Sequence, residues 1–572
     1  MASDNAEIAA LFNRYADLLE IQDANPFRVR AYRNAARVVS GSSRSMAELL
    51  AEGRDLDELP GIGKDLAAKI ETIVRSGALP QLARIEKRVP RALSDLMQLP
   101  GLGPKRVKLL YRELDIRSVE DLQRAARSGE LEKLPGFGAK ITARILTGIE
   151  SRGSAPQRFK LADAEQAAAP LVAYLEKIRG VKTVTVAGSF RRRRDTVGDL
   201  DIVVTARRGT PVMRRFIAYD AVAEVLSEGV TRASVRLRNG LQVDLRLVPE
   251  ASYGAALYYF TGSKSHNIAV RRIAVGKGLK INEYGVYRGV RRVAGRTEEE
   301  VFAAVDLPYI VPELRENRGE IEAARRGKLP ELVRLADLRG DLHAHTTASD
   351  GHDTLAAMAV AARSLGYGYL AITDHTRQVR VAHGLNAQEL RVHFAAIDRL
   401  NAGFKDFRLL KSAEVDILED GRLDLPDSVL AEMDVVVAAV HYRLELPTEE
   451  QTARVLKALD NRRIHVLAHP TTRLISQRPE FAAHMPKIFA AAAERGVAME
   501  INAHPDRLDL DDVHARAARE AGCKLVISTD AHSVAGLGYM HYGVDQARRA
   551  WLAKTDVLNT LPLDTLLKTF ER

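Results

Sequence analysis

The sequence is poor in several features that would assign it to particular classes of protein. It contains one cysteine, Cys523, so a framework of disulfide bonds is excluded. Its longest apolar runs, such as residues 435–440, have the length of a strand and are far shorter than a membrane span. The first four residues begin neither a signal peptide nor a transit peptide. We therefore expect a cytoplasmic protein that makes no contact with membranes.

The chain is long, and its charged residues are unevenly distributed along it. Its 572 residues, 46% hydrophobic and 28% charged, are enough for several globular domains. Residues 1–338 carry 57 Lys and Arg against 43 Asp and Glu, a balance of +14, whereas residues 339–572 carry 28 against 32, a balance of −4. Of the 15 histidines, 14 lie at or after His343. We expect the surface for an acidic partner in the first part and a different chemistry in the second.

A repeated segment points to the kind of acidic partner. Copies of Leu-Pro-Gly-x-Gly begin at Leu59, Leu99 and Leu134, and each precedes an amphipathic pattern. The glycines let the backbone approach a phosphate, and the N–H groups that open the next helix favour negative charge. The repeat resembles the helix-hairpin-helix motif, which grips the DNA backbone without reading sequence, and helix-capping turns are the alternative. The DNA contacts that it implies are Gly61, Gly63, Lys64, Gly101, Gly103, Gly136 and Gly138.

The N-terminal region shows a second resemblance. Residues 25–39 and 59–70 are similar to the small lyase domain of DNA polymerase beta, and Lys69 falls on the position of that family's Schiff-base lysine. A lysine near a basic patch loses its proton more easily and can attack an abasic sugar aldehyde. The alternative is a lysine that only contacts phosphate. Asp65 stands where the animal enzyme has a second lysine.

The most informative stretch follows these helices. Gly-Ser-Phe-Arg-Arg at residues 188–192 precedes Asp199 and Asp201, which lie in an apolar run. Alternate side chains of a strand share a face, so the two carboxylates point the same way and suit a divalent cation. The Gly-Ser turn offers backbone N–H groups, and the arginines offer guanidinium groups, to a polyphosphate. Together these residues predict metal-assisted phosphoryl transfer.

Two further segments complete the pattern. Residues 241–246 alternate apolar and polar, which places Asp244 on a strand face where it can join the first two carboxylates in a two-metal site. The segment Tyr-Phe-Thr-Gly-Ser follows at residues 259–263, where Gly262 permits a turn under a sugar. In their order and spacing these motifs resemble the family X DNA polymerases.

The resemblance implies a role for each matching residue. Asp199 and Asp201 would hold two metal ions, Mg²⁺ or Mn²⁺, and Asp244 would hold the catalytic one beside the primer 3′-OH. The implied nucleotide contacts are Gly188, Ser189 and Arg192 at the triphosphate, Tyr259, Phe260 and Gly262 at the deoxyribose, and Asn267 and Arg271 in the minor groove of the nascent pair. The sequence departs from animal members at His266, which replaces an aromatic residue, and at Gln242, which replaces an arginine.

After residue 338 the pattern alternates between strands and helices. Short apolar runs at residues 340–345, 369–375, 407–414, 434–441, 464–469, 497–502 and 525–530 predict seven strands that alternate with helices, as in a parallel barrel. The carboxyl ends of such strands converge on one rim. We expect that rim to collect His343, His345, Asp350, His375, Glu414, His441, His469, Asp530 and His532.

This grouping resembles a PHP (polymerase and histidinol phosphatase) domain, a barrel with up to three metal ions. A mixed set of histidine and carboxylate ligands suits Zn²⁺, Mn²⁺ or Fe²⁺, and we expect Zn²⁺ or Mn²⁺. Such a cluster activates a water to attack a phosphodiester. A structural role is the alternative for any single histidine. We interpret His383, His465, His504 and His541 as surface or supporting residues.

Over its whole length the sequence resembles the bacterial PolX enzymes. That resemblance implies a DNA polymerase that fills short gaps in base excision repair and carries a metal-dependent 3′-5′ exonuclease, with AP endonuclease activity left open. Its partners would be gapped or primer-template DNA and dNTPs, and it would act as a monomer at the nucleoid. One alternative is a PHP phosphoesterase with a catalytically inactive polymerase half that only binds DNA. Another is a phosphatase of small metabolites.

We therefore expect a multidomain protein with three kinds of fold. These are an all-α helix-hairpin-helix region, an α+β family X nucleotidyltransferase palm and a C-terminal α/β barrel of seven βα units. The expected boundaries are a lyase-like domain at 1–85, a helix-hairpin-helix subdomain at 86–155, the palm at 156–250, a nucleotide-selection subdomain at 251–315, a linker at 316–338 and the PHP domain at 339–572.

Overall fold

The chain is described by a computed structural model over residues 5–22, 24–40, 46–59, 61–86, 93, 96–97, 99, 102–150 and 158–571. It divides into two units, Met1–Gln157 and Arg158–Arg572. Within the described ranges, no helix is both long and apolar enough to cross a membrane.

The first unit is helical throughout the residues that are described. Its helices are α1 (Asn5–Ile21), α2 (Pro26–Ser40), α3 (Met46–Ala51), α4 (Lys64–Ser76), α5 (Pro80–Glu86), α6 (Pro104–Leu114), α7 (Val119–Arg127) and α8 (Ala139–Glu150), with 3₁₀ turns at Leu56–Glu58 and Leu131–Lys133. The apolar positions of α1 and α2 face each other, and the rings of Phe12 and Tyr15 both meet Tyr32 edge-on. The predicted all-α region is confirmed.

The second unit begins with the palm. Its elements are β1 (Phe159–Lys160), α9 (Leu161–Glu176), β2 (Val181–Val186), α10 (Gly188–Arg191), β3 (Thr196–Val197), β4 (Asp199–Ala206), α11 (Val212–Ile217), β5 (Val222–Glu228), β6 (Arg232–Leu237) and β7 (Gln242–Leu247). The main sheet has the order β2-β4-β7-β6-β5, in which β4 and β7 run parallel and the other pairs run antiparallel. Helix α9 packs on the face of β4 that carries Leu200, Ile202 and Val204, and Asp199 and Asp201 alternate with these residues along the strand.

A smaller subdomain follows the palm. Its elements are α12 (Tyr253–Thr261), α13 (Lys264–Gly276), β8 (Lys280–Asn282), β9 (Gly285–Arg288), β10 (Arg291–Ala294), α14 (Glu298–Ala303) and α15 (Glu320–Arg325), with 3₁₀ turns at Glu250–Ser252, Pro312–Leu314 and Leu335–Asp337. Ser263 caps α13, because its hydroxyl accepts a hydrogen bond from the N–H of His266 (3.3 Å). Strands β8, β9 and β10 form an antiparallel sheet.

The last part of the chain is a parallel barrel. Its elements are β11 (Gly340–Ala344), α16 (Leu355–Ser364), β12 (Tyr369–Ile372), α17 (Ala387–Asn401), β13 (Arg408–Asp416), α18 (Asp427–Leu430), β14 (Val435–Ala439), α19 (Thr448–Leu459), β15 (Val466–Leu467), α20 (Met485–Arg495), β16 (Ala498–Asn502), α21 (Asp512–Glu520), β17 (Leu525–Ser528), α22 (Met540–Arg549) and α23 (Leu563–Phe570), with 3₁₀ turns at Arg380–Ala382, Ala535–Tyr539, Lys554–Asp556 and Leu558–Thr560. The strands pair in chain order, and a parallel bridge between Ala344 and Ala531 joins the first strand to the last. All seven predicted strands are confirmed.

The barrel and the palm pack together within the second unit. Ile475, Leu508 and Tyr542 of the barrel region are buried in the hydrophobic core of the palm. Residues 316–338, expected to be a linker, are part of this packed structure. Glu320 is fully buried, and its carboxylate accepts hydrogen bonds from the N–H groups of residues 317 and 318 at the start of α15 (3.0 and 2.7 Å). The connection is therefore folded, not loose.

Candidate active sites

Strand pairing in the palm brings the predicted carboxylates together. Asp201 of β4 lies opposite Asp244 of the parallel strand β7. Asp199 precedes Asp201 by two residues, so the pleat points both side chains to the face that also carries Asp244. The structure thus places the three carboxylates on one face of the sheet.

The electrostatics of this face favour a cation. Burial, and then the carboxylates of Asp199 and Asp244, raise the pKa of Asp201 to about 7. A bound divalent cation would keep all three groups ionised, and the all-oxygen donor set fits Mg²⁺ or Mn²⁺.

Two neighbours hold the carboxylate of Asp244. The hydroxyl of Ser234 donates to Oδ1, and the amide of Gln242 donates to Oδ2 at 2.8 Å. Gln242, which departs from the arginine of animal members, is therefore still a hydrogen-bond donor to Asp244. Ser234 carries no signal in the sequence, because its position opposite Asp244 appears only once the pairing of β6 with β7 is known.

The Gly-Ser turn lies directly against the carboxylates. The N–H of Ala187 donates to the carbonyl oxygen of Asp201 (2.6 Å), and the chain then turns into α10. Gly188 has a φ of +65°, and a Cβ there would lie 2.7 Å from Oδ2 of Asp201. Glycine is required because a side chain would press on the carboxylate. Ser189 follows within the same short helix.

Two of the arginines after the turn, Arg191 and Arg192, are held by the smaller subdomain that follows the palm. Arg191 donates to both carboxylate oxygens of Glu298 (2.9 and 2.7 Å). Arg192 donates to the carbonyl oxygen of Thr261 (2.6 Å) and to the carboxylate of Glu316 (3.0 Å). Arg192, the predicted triphosphate ligand, therefore lies beside the turn that follows α12.

The predicted sugar and base contacts lie around the same turn. The rings of Tyr259 and Phe260 meet edge-on with centroids 5.2 Å apart, and the guanidinium of Arg246 lies 4.8 Å from the ring of Phe260. Asn267 is buried and its amide donates to the carbonyl oxygen of Tyr259 (2.8 Å). Arg271 lies half-buried one turn further along α13. Their contacts with a nucleotide stay predictions.

His266, the departure from animal members, lies inside the subdomain core. Its side chain is fully buried, and Nδ1 lies 2.6 Å from a carboxylate oxygen of Glu320. Its ring packs near Tyr258 and Phe302. His266 is therefore part of the packed core of this subdomain.

The barrel brings its predicted rim residues together. His343 and His345 lie on or just after β11, Glu414 lies on β13, and the others follow strands β12, β14, β15 and β17 or lie in the loop after β11. Potential ligand atoms lie within 4.8 Å of one another in three groups, which are His345, Asp350, His375 and His532; His343, His345 and Asp530; and His375, Glu414 and His441. Nε2 of His469 lies 2.7 Å from Oε1 of Glu414. All nine side chains therefore meet at one rim.

The unpaired nitrogens of this rim fit a metal cluster. In the part of the chain that is described, Nε2 of His343, both ring nitrogens of His345, Nδ1 of His375 and Nε2 of His441 are buried without a hydrogen-bond partner. Nδ1 of His375 and Nε2 of His441 lie 3.0 and 3.1 Å from the carboxylate of Glu414. Ring nitrogens and carboxylate oxygens in this arrangement suit Zn²⁺ or Mn²⁺.

Carboxylates outside the predicted set orient two of these histidines. Oε1 of Glu500 lies 2.7 Å from Nδ1 of His343, and Oδ1 of Asp416 lies 3.1 Å from Nδ1 of His441. Each contact leaves the other ring nitrogen directed at the cluster. Neither residue could be recognised from the sequence, because each one lies in a pattern typical of an ordinary buried strand.

A cavity of about 200 Å³ opens onto the rim. Arg507 lines it, with Nε 3.4 Å from Oδ2 of Asp530, and Val381 lies at its wall with 92% of its surface exposed. Arg507 lies in the loop after β16, where no sequence motif marks it. A guanidinium beside a metal cluster suits a phosphate group.

Lys69 of the first unit is held differently from the prediction. Its ammonium donates to the carboxylate of Asp65 one turn earlier on α4. Burial lowers its pKa, but the hydrogen bond to Asp65 and the nearby Tyr32 outweigh burial, and the pKa is raised. A raised pKa opposes the easy loss of a proton that a Schiff-base lysine needs. The lyase role of Lys69 stays a prediction, and the contact with Asp65 argues against it.

The repeat turns of the first unit share one geometry. In each, the residue between the glycines is buried, and its N–H donates to the leucine three residues earlier, at 2.9 Å for Ile62, 3.1 Å for Leu102 and 3.1 Å for Phe137. The glycines of these turns are exposed at positions 61, 63, 103, 136 and 138, while Gly101 lies outside the described residues. Lys64 begins α4 and is exposed. The turns therefore offer bare backbone, as a phosphate contact requires.

Family models match most of the first unit and the first part of the second. Residues 3–79 match a helix-hairpin-helix domain, and residues 93–151 match a SAM-like helix-hairpin-helix tandem. Residues 161–273 match the DNA polymerase beta palm, and residues 256–316 match the DNA polymerase beta thumb.

Relatives connect these domains to the barrel. The DNA polymerase/3′-5′ exonuclease PolX of Bacillus subtilis (strain 168) is 38% identical over 562 residues, which cover 97% of each chain. The chain belongs to the PolX family. DNA polymerase lambda of Rattus norvegicus is 26% identical over 288 residues, 45% of this chain and 48% of that protein. A probable phosphatase of Thermoanaerobacter sp. (strain X514) is 28% identical over 232 residues, 38% of this chain and 89% of that protein. PolX membership confirms the resemblance and the fold class that the sequence indicated.

Proposed function

We propose that this chain is a DNA-directed DNA polymerase that fills short gaps, joined in one polypeptide to a metal-dependent 3′-5′ exonuclease. The observation that carries the proposal is the pairing of Asp201 with Asp244, which sets three carboxylates beside the Gly188 turn. The Bacillus subtilis relative is named for both activities and aligns along almost its full length.

In the palm, this chain's residues would bind and align the substrates. The N–H groups of the turn at Gly188 and Ser189, with the guanidinium of Arg192, would hold the triphosphate. The rings of Tyr259 and Phe260 would lie against the deoxyribose, while the three aspartates would hold Mg²⁺ or Mn²⁺ next to the primer end. Such preorganised charge accounts for most of the acceleration in phosphoryl transfer.

In the barrel, the nine rim residues would hold up to three ions, Zn²⁺ or Mn²⁺. Arg507 would bind the phosphate next to the scissile bond, and Glu500 and Asp416 would keep the histidine rings in position. Divalent ions bound at the two sites supply Lewis acidity, which lowers the pKa of an attacking hydroxyl or water and offsets phosphate charge.

The helix-hairpin-helix turns would grip the DNA backbone. Gapped or primer-template DNA and dNTPs are the proposed substrates, and base excision repair is the proposed setting. We also propose the domain boundaries expected from the sequence, a monomeric state and a cytoplasmic location at the nucleoid. An AP endonuclease activity of the barrel is a further hypothesis that an abasic-site duplex would test.

The experiment uses a duplex with a one-nucleotide gap, a labelled primer and Mn²⁺, with dNTPs added or withheld. We expect extension by one nucleotide when dNTPs are present and shortening of the primer when they are absent. Shortening under both conditions would contradict the polymerase and favour a phosphoesterase whose first half only binds DNA. Neither product, with hydrolysis of a small phosphate ester instead, would favour a metabolite phosphatase.

A further inference from the structure

Helix α22 of the barrel packs against the turn that precedes the carboxylates of the palm. Tyr542, Asp545 and Arg549 recur at a spacing of three and four residues, so they lie on one side of the helix. Oδ2 of Asp545 accepts a hydrogen bond from Arg193 (2.6 Å), the last arginine but one in the run after the turn. Val544, elsewhere on the helix, is buried in the barrel core. The helix therefore bridges the barrel and the polymerase turn.

Arg549 makes the contact nearest to the proposed triphosphate site. It is 3% exposed, and Nη1 donates to the carbonyl oxygen of Arg192 (2.6 Å) and to Oε1 of Glu316 (3.2 Å). Its other terminal nitrogen donates to Oδ2 of Asp512 in the barrel (2.7 Å). The guanidinium of Arg549 therefore links the backbone of the turn to the barrel through hydrogen bonds.

Glu316 is shared between two arginines. Oε1 of Glu316 accepts from Nε of Arg192 at 3.0 Å and from Nη1 of Arg549 at 3.2 Å. Burial raises the pKa of Glu316, but Arg549, Arg192 and Arg194 outweigh it and lower the pKa to about 2. The carboxylate is therefore ionised at neutral pH and competes with a phosphate for Arg192.

Arg549 also changes how the arginines and carboxylates of this cluster pair. Arg192 and Arg549 both pair with Glu316, and Arg318 and Arg549 both pair with Asp512. Without Arg549, Glu316 would lose one of these two guanidinium partners and would pair with Arg192 alone. A phosphate would then have to displace Glu316 from Arg192, which weakens binding.

We propose that Arg549 of the barrel is a positioning residue of the polymerase site. It fixes the turn through the carbonyl oxygen of Arg192 and draws Glu316 away, so that the guanidinium of Arg192 can bind the nucleotide triphosphate. The inference rests on the proposed function, because it gives Arg192 that role.

The test compares Arg549→Met with Arg549→Lys in the full chain, with dNTP KM and kcat measured on the one-nucleotide gap. Displacement of the turn is expected to raise the dNTP KM about 10- to 100-fold in Arg549→Met. Arg549→Lys keeps the charge but has no fork to bridge two acceptors, so we expect a smaller rise. Exonuclease activity without dNTPs reports whether the barrel is folded.

Arg548→Met is the matched control. Arg548 directly precedes Arg549 on α22; its Nε donates to Glu313 of the smaller subdomain (2.8 Å), and its Nη1 donates to the carbonyl oxygen of Val333 (3.2 Å). No hydrogen bond or ion pair joins it to Arg192 in the described structure. We expect its dNTP KM to stay unchanged, and an equal rise in both variants would overturn the proposal.

A double substitution separates positioning from general stability. If Arg549 acts through Arg192, Arg549→Met should add little to the KM of an Arg192→Ala chain, whereas independent effects would multiply and would overturn the inference. An Arg192→Ala chain with normal KM would overturn both this inference and the triphosphate role of Arg192. A raised KM for Arg192→Ala with a normal KM for Arg549→Met would overturn the inference alone. If Arg549→Met does not fold, Arg549→Lys takes its place: a raised dNTP KM would support the inference, and an unchanged dNTP KM would overturn it.

Discussion

The palm sets three carboxylates on the face of an open sheet, whereas the barrel gathers nine possible ligands at the ends of its strands. In the palm, two of the carboxylates come from one strand and the third from its parallel neighbour, so strand register alone sets their spacing. In the barrel, the ligands come from six of seven strands or their following loops, so closure of the whole sheet sets the spacing. The first site depends on local pairing, and the second depends on the complete fold.

The two sites also differ in their supporting residues. The histidines of the barrel are oriented from within the barrel, as Glu500 orients His343. The turn of the palm is held partly by another domain, through Arg549. The histidines of the barrel site are therefore oriented by the barrel itself, while the turn of the palm site depends partly on the barrel. If the two sites are distinct, a substitution in one site should abolish one activity and leave the other unchanged.

The largest effect is expected from Asp201→Asn. The change removes a charge that would hold the metal ions, so nucleotide addition should fall about 10³-fold while primer shortening stays unchanged. Single-nucleotide extension and exonuclease assays on the same gapped duplex measure the two rates. Asp220→Asn, at an exposed palm carboxylate, is the control and should leave both rates unchanged. Loss of both activities in Asp201→Asn would show that the sites are not independent.

The converse change is His343→Ala. Loss of a buried ring nitrogen from the rim should lower the exonuclease rate about 10³-fold and leave extension intact. His484→Ala provides the control, because that histidine pairs with Glu449 near the surface of the same barrel. An exonuclease that survives His343→Ala would place the nuclease somewhere other than the rim.

A smaller effect is expected from Glu500→Gln. Its carboxylate orients His343 without reaching the cluster itself, so the substitution should weaken metal affinity about 10- to 100-fold. Exonuclease activity measured against Mn²⁺ concentration should shift to a higher midpoint and recover at saturating metal. Glu494→Gln, an exposed neighbour at the end of α20, should leave the midpoint unchanged. An activity that does not recover at any concentration would assign Glu500 a role beyond orientation.

The comparison also explains what could be predicted from the sequence. The seven barrel strands, the three repeat turns and the Asp199, Asp201 and Asp244 set follow from periodicity and motif spacing, which are local properties of the chain. Ser234, Glu500 and Arg549 could not be found in this way. Each one has its role through a partner on another element, so its signal is strand register or domain packing. Lys69 differs from these residues, because its partner Asp65 lies close to it in the sequence. The sequence nevertheless did not indicate that the two side chains form a hydrogen bond, and it is this bond that helps to raise the pKa of Lys69.

The smallest effect is expected from Gly188→Ala, which tests the local character of the palm site. Alanine at a φ of +65° would be strained, and its Cβ would lie 2.7 Å from Oδ2 of Asp201, so the carboxylate must shift. Strain and displacement of about 1.4 kcal/mol would lower nucleotide addition about 10-fold. Gly209→Ala is the control, because its φ of +84° imposes similar strain but nothing lies within 4 Å of the added Cβ. Thermal unfolding should show a similar loss of stability in both variants, and extension should fall only in Gly188→Ala. Equal loss of extension in both would mean that backbone strain, and not contact with Asp201, sets the activity.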